Sequence, residues 1–92
     1  MNKYGYKQVL TFDEFQEGLI VECVNGKIVC REYKKNEYGE RQRTDYEKEI
    51  DLIQVANKKT PIGQMREISK QLGRGDFAID EEVIALIEEL KD

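Results

Sequence analysis

Residues 19–33 read LIVECVNGKIVCREY, and the fold turns on how this stretch is interpreted. Asn25-Gly26 stands between two runs rich in β-branched residues. Asn-Gly is the strongest short-range hairpin signal, because a two-residue turn of this kind needs positive φ at both central positions. The stretch therefore predicts strands over 19–24 and 27–33 joined by a tight turn. Placing the turn sets the register: Val24 faces Lys27, Cys23 faces Ile28, Val21 faces Cys30 and Leu19 faces Glu32. Side chains alternate across a strand, so Leu19, Val21, Cys23, Ile28 and Cys30 share one apolar face that looks inward. Glu22, Lys27, Arg31 and Tyr33 share the other with Ile20, Val24 and Val29, a mixed surface that implies partial cover by another element.

Outward from the hairpin, the flanking segments are shorter and more polar. Tyr4, Tyr6, Val9 and Leu10 alternate roughly, as in an edge strand or an ordered arm. Thr11 with Glu14 three residues on is a capping box, and Gly18 offers a left-handed stop. Together they predict a short helix over 11–18, with Phe12 and Phe15 on one side. Beyond Tyr33, residues 34–40 form a loop or second hairpin tip, and Arg41–Tyr46 a third strand. The run Ile50–Ala56 is ambiguous. As a helix its apolar residues scatter over roughly 220°, too broad for a clean stripe. Its branched residues and short length favour a buried strand near 50–56, with a helix the other reading. Thr60-Pro61 opens a helix over 61–72, with Ile62, Met65, Ile68 and Leu72 within about 120° of the wheel. Asp80 caps a last helix over 80–91, with Val83, Ile84, Ile87 and Leu90 as its stripe and Leu86 at the margin.

These elements make an α+β fold: a small curved antiparallel sheet, a short N-terminal helix and two C-terminal helices. The 92 residues are enough for one domain with one modest core, mainly β over 1–57 and helical over 58–92. The chain is 37% charged and 39% hydrophobic, a globular profile rather than a disordered one. No apolar run approaches the length of a membrane span. The opening MNKYGYKQVL lacks the apolar core of a signal peptide, so a cytoplasmic protein is expected. Cys23 and Cys30 are diagonal neighbours in the hairpin, about 7–8 Å apart, which favours reduced, buried thiols over a disulfide.

Absent residue types exclude most chemistry. There is no histidine, the commonest general base and metal ligand. Ser69 is the lone serine, so no serine triad exists in this chain. Two cysteines without histidine are too few for a structural zinc site. Paired carboxylates are available in principle, but a chain this small offers little concave surface to hold a pair. Gly73–Ala78 spells G-x-G-x-x-A, yet it follows a helix instead of a strand, so a glycine C-cap and loop is its reading. Arg74-Gly75-Asp76 is chance composition, and Asp76, Asp80 and Glu81 lack the EF-hand spacing. The two C-terminal helices suggest a helix-turn-helix, but the second is strongly acidic and the linker is long. No enzyme, cofactor or metal is expected.

The residues Gly18–Val24, the turn Asn25-Gly26-Lys27 and the later Asp51-Leu52-Ile53-Gln54-Val55 resemble small phage and prophage proteins with an SH3-like β-hairpin core. The likeness covers less than half of the chain and omits the two C-terminal helices. It implies a phage or mobile-element origin, a small curved sheet and a host-cell cytoplasmic location, and carries no catalytic residues.

Net charge is −4, distributed as −2 over residues 1–57, +4 over 58–75 and −6 over 76–92. The expected function is a protein-binding regulatory module that occupies a host or defence protein. Its contact residues would be Tyr33, Lys35, Tyr38, Arg41, Arg43 and Tyr46, since aromatic and arginine side chains are favoured anchors. The acidic helix face of Glu81, Glu82, Glu88 and Glu89 would engage a basic surface. The alternative is nucleic-acid binding by the Lys34–Arg43 loop, basic residues interleaved with aromatics, diluted by Glu32, Glu37 and Glu40. Pairing of an open sheet edge with a second copy is a further route to a homo-oligomer; no membrane contact is expected.

Overall fold

The computed structural model describes residues 9–11 and 13–90. In chain order the elements are β1 (Val9–Leu10), β2 (Gly18–Val24), β3 (Lys27–Lys35), β4 (Arg41–Glu49), α1 (Leu52–Ala56), α2 (Pro61–Leu72), β5 (Ala78–Asp80) and α3 (Glu81–Leu90). The strands form one five-stranded sheet in the order β1-β5-β2-β3-β4.

The hairpin forms in the expected register, with Leu19 opposite Glu32, Val21 opposite Cys30, Cys23 opposite Ile28 and Val24 opposite Lys27. Asn25 (φ 52°) and Gly26 (φ 78°) both take positive φ, as the turn demands. The inward face is the main core. Leu19, Val21, Ile28 and Cys30 pack there with Ile50, Val55 of α1, Ile68 and Leu72 of α2, Phe77, Ile79 of β5, and Val83, Ile84 and Ile87 of α3. Full burial of one such aliphatic side chain contributes about 2 kcal/mol. The mixed face is covered in part: Phe15, Ile20 and Ala78 form a small second cluster with Tyr33 against it. Both thiols are free; Cys30 is buried, whereas Cys23, expected inside, is only half-buried near the hairpin turn.

Three expectations about the elements themselves fail. The sheet is mixed, not antiparallel throughout, because β5 lies parallel to both neighbours, β1 and β2. Ala78 joins the small cluster and Ile79 the main core, so β5 is buried on both faces. Three residues give no alternation to recognise, and Asp80 presents itself in the sequence only as a cap. It is a cap as well: its Oδ1 accepts from the Glu82 N–H at 3.0 Å.

The short N-terminal helix expected over 11–18 does not form among the described residues. Its capping box does form, with Thr11 N–H donating to Glu14 Oε1 at 3.0 Å and Glu14 N–H to Thr11 Oγ1 at 3.3 Å. It closes a single turn, since Gly18 (φ 112°) already begins β2. A helix nucleus that cannot propagate is not stable. Phe15 turns onto Ile20 instead, while Phe12 and residues 1–8 lie outside the described residues.

The segment near 50–56 is a helix, not a strand. Ile50 N–H donates to the Ile28 carbonyl at 2.8 Å, and the ladder ends there. Asp51 then caps α1, its side chain accepting from Gln54 N–H. Gln71 brackets Asp51 as a neighbouring strand would: its Oε1 accepts from Asp51 N–H at 2.7 Å and its Nε2 donates to the Asp51 carbonyl at 3.2 Å. Val55 turns inward while Ile53 is 66% exposed, which a strand buried on both faces would not allow.

The C-terminal helices lie where expected. Thr60 Oγ1 accepts from Gly63 N–H at 3.0 Å and Gly73 (φ 70°) closes α2. The buried stripe of α2 is rotated from the expected one, with Ile62 exposed and Gln64 buried. Gln64 is satisfied in that place because its Nε2 donates to the Lys58 carbonyl at 3.1 Å. Strand β5 separates α2 from α3, so the pair is not a helix-turn-helix.

Candidate functional site

The predicted contact residues lie on and around the hairpin of β3 and β4. Register shows why this hairpin differs from its neighbour. Strand β2 begins at Gly18, opposite Tyr33, so beyond that point β3 pairs with β4 alone: Lys34 with Gln42 and Lys35 with Arg41. The result is a two-stranded arm. Its tip is ordered by Asn36, whose Oδ1 accepts from the N–H groups of Tyr38 at 2.9 Å and Glu40 at 3.0 Å. The Asn36 N–H donates to the Glu40 carbonyl at 2.9 Å, and Gly39 supplies the positive φ. This hydrogen-bonded loop holds Tyr38 out into solvent, 79% exposed.

The six residues do not form one patch. Alternation puts Tyr33, Lys35, Arg41 and Arg43 on the sheet face away from the helices. Tyr46 lies on the other face, packed against the main core. Between Arg31 and Tyr33 the register with β4 shifts, so that Thr44, Asp45 and Tyr46 stand against Glu32. Thr44 Oγ1 donates to Glu32 Oε1 at 3.1 Å there. Tyr33 is half-buried, its ring edge-on to Phe15 with centroids 6.0 Å apart, and its hydroxyl donates to Glu22 Oε2 at 2.6 Å. Burial, helped by that carboxylate, holds the Tyr33 phenol above its ordinary pKa. Burial also raises Tyr46. Arg41 is tied to the main chain, donating to the Phe15 carbonyl at 2.8 Å. Glu47 accepts from Arg31 Nε at 2.9 Å and lies 3.8 Å from Arg43 Nη1. Tyr33, Arg41 and Tyr46 therefore serve the fold, and Lys35, Tyr38 and Arg43 are the members left exposed to solvent.

The predicted acidic residues do share a surface. Glu81, Glu82, Glu88 and Glu89 are all exposed on α3. At about 100° per residue they fall within roughly 120° of its wheel. Sequence reasoning missed a groove at the other end of β3, lined by Gly26, Lys27, Ile28, Glu49, Ile50, Leu52, Leu86, Glu89 and Leu90. Its one sequence signal is Leu86 with Leu90, an i, i+4 pair on α3; Leu90, expected in the buried stripe, is instead 49% exposed.

Chemistry elsewhere is quiet. Burial pushes the Cys30 thiol up to about 11, far from a reactive thiolate. Among the described residues no group of three or more His, Cys, Asp or Glu is arranged to hold a metal ion. No helix among them is long and apolar enough to cross a membrane. No protein-family model, curated protein or solved structure matches the chain.

Proposed function

We propose that this protein is a small binding module that acts by occupying a partner protein, with the β3–β4 arm as its contact element. The observation that carries this reading is Tyr38, a large aromatic held outward on a loop that Asn36 has already ordered. Aromatic anchors dominate binding energies, and a preordered anchor loses little entropy on docking. Lys35 and Arg43 flank it on the arm. A host or defence protein is the partner suggested by the phage-like hairpin residues. Edge pairing with a second copy is a poorer use of this surface. Strand β4, at the end of the strand order, carries Arg41, Arg43, Asp45, Glu47, Lys48 and Glu49 together with a register shift, and charges and bulges blunt edge pairing.

The test is capture from host lysate on the immobilised full chain, compared with its Tyr38→Ala variant. A stoichiometric protein whose affinity drops about tenfold on that substitution supports the reading. Equal capture by both chains removes the arm from the interface. Nuclease-sensitive, salt-dependent capture weakened by Lys35→Glu and Arg43→Glu would replace it with nucleic-acid binding. Against that outcome stand Glu37 and Glu40 in the loop and Glu47 beside Arg31 and Arg43.

A further inference from the structure

At the end of β3 remote from the arm, a groove opens beside the hairpin turn. Strand β3 runs from Lys27 to Lys35, so the two ends are about 26 Å apart at 3.3 Å per residue. Helix α1 is only five residues long and reaches Leu52 toward this end. Helix α3 passes beside it, and its stripe of Val83, Ile84 and Ile87 is buried in the core. Leu86 and Leu90 lie on the flank of that stripe, one turn apart. The space between is a groove of about 360 Å³. Ile28 and Ile50, 6% and 3% exposed, make its floor. Leu52, Leu86 and Leu90 make its walls, and Leu90 is 49% exposed. The turn at its mouth is open, with nothing within 4 Å of where a Cβ on Gly26 would lie.

The charge around the groove selects its occupant. Lys27 Nζ is 3.9 Å from Glu49 Oε1, so these two rim charges cancel locally. The acidic stripe of α3 ends at Glu88 and Glu89, and Glu89 itself lines the groove. An apolar slot with an acidic lip is complementary to aliphatic anchors flanked by Lys or Arg. We propose that this groove docks a basic amphipathic helix of a partner protein, with leucine-like anchors at helical spacing entering between α1 and α3. A second copy fits less well. The basic stretch of this chain over 58–75 is carried mainly on α2, and the Ile68 and Leu72 that would anchor it are already in the core. The groove is a second surface, and its occupancy does not depend on the arm.

The experiment titrates the full chain into a fluorescein-labelled peptide with leucines at i, i+3, i+4 and i+7 and lysines elsewhere, read by anisotropy. A scrambled peptide of the same composition is the control. Saturable binding of the patterned peptide, at least about tenfold weaker for Leu90→Asp, is expected. Glu89→Lys should weaken it severalfold, more so at low salt. Tyr38→Ala should leave it unchanged, which separates this site from the arm. Amide shifts on binding should centre on Ile28, Ile50 and Leu86. Equal binding of the scrambled peptide, full affinity in Leu90→Asp, or no saturable binding overturns the proposal. So does a concentration-dependent dimer that Leu90→Asp abolishes, which would make a second copy the occupant. Leu90 is already half in solvent, and an unchanged thermal melt of Leu90→Asp confirms that the variant is folded.

Discussion

Strand β3 belongs to two hairpins that share its backbone and little else. With β2 it places Val21, Ile28 and Cys30 in the main core, each at most 6% exposed. With β4 it runs on past Gly18, the first residue of β2, into an arm of charged and polar side chains. Both hairpins close with a positive-φ glycine, Gly26 in one and Gly39 in the other. The turns differ in length, two residues against five, but each is closed locally, so what separates the buried hairpin from the exposed one is whether the helices cover the strand. Burial concentrates stability at one end of β3 and leaves the other end exposed.

The sharpest way to break this contrast is Ile28→Ala. A large-to-small change at a buried position costs about 3 kcal/mol, read as a lower midpoint in urea unfolding. A loss below about 1 kcal/mol would mean that the inner hairpin is not what anchors the core.

Next in size is an alkaline effect. The Cys30 thiol rises from 9.0 to about 11 on folding because it is buried. A raised pKa means that the folded state holds the proton more tightly. Its stabilisation is full below about pH 9 and is lost as pH rises toward about 11. The expected fall is about 2 kcal/mol. Tyr33, raised by burial and by Glu22, adds loss of the same sign as its own pKa range is reached. In Cys30→Ala the fall between those two pH values should shrink, measured by urea titrations at each pH. An unchanged fall would place its cause outside the inner hairpin.

Smallest is Tyr38→Ala. At 79% exposure on the arm tip, its removal should change folding stability by no more than about 0.5 kcal/mol. A larger loss would show that the arm is part of the folded core rather than a displayed surface.

Legibility followed the same division. The inner hairpin could be read to the residue because a two-residue turn leaves one register, and alternation then assigns every side chain to a face. Helix α2 was equally plain, since Thr60, Pro61 and Gly73 mark both ends chemically. The run at 50–56 favours a strand over a helix in sequence because its pattern counts Ile53 as inward, whereas the backbone partner of Asp51 is the Gln71 side chain, twenty residues away. The candidate site was half legible. Residue types located the arm and the acidic face of α3. They could not show that Tyr33 would spend its hydroxyl on Glu22, or that Arg41 would hold the Phe15 carbonyl.

What the sequence by itself determined is local: the turn at Asn25-Gly26, the register it imposes, the ends of α2, the start of α3 and the absence of histidine. Each depends on groups a few residues apart, whose geometry is set by the backbone between them. What only the tertiary structure decided is long-range: β5 inserted parallel between β1 and β2, α1 in place of a strand, and the groove between α1 and α3. These depend on which distant groups satisfy a buried hydrogen bond or fill a given volume, and chain folding alone brings such groups together.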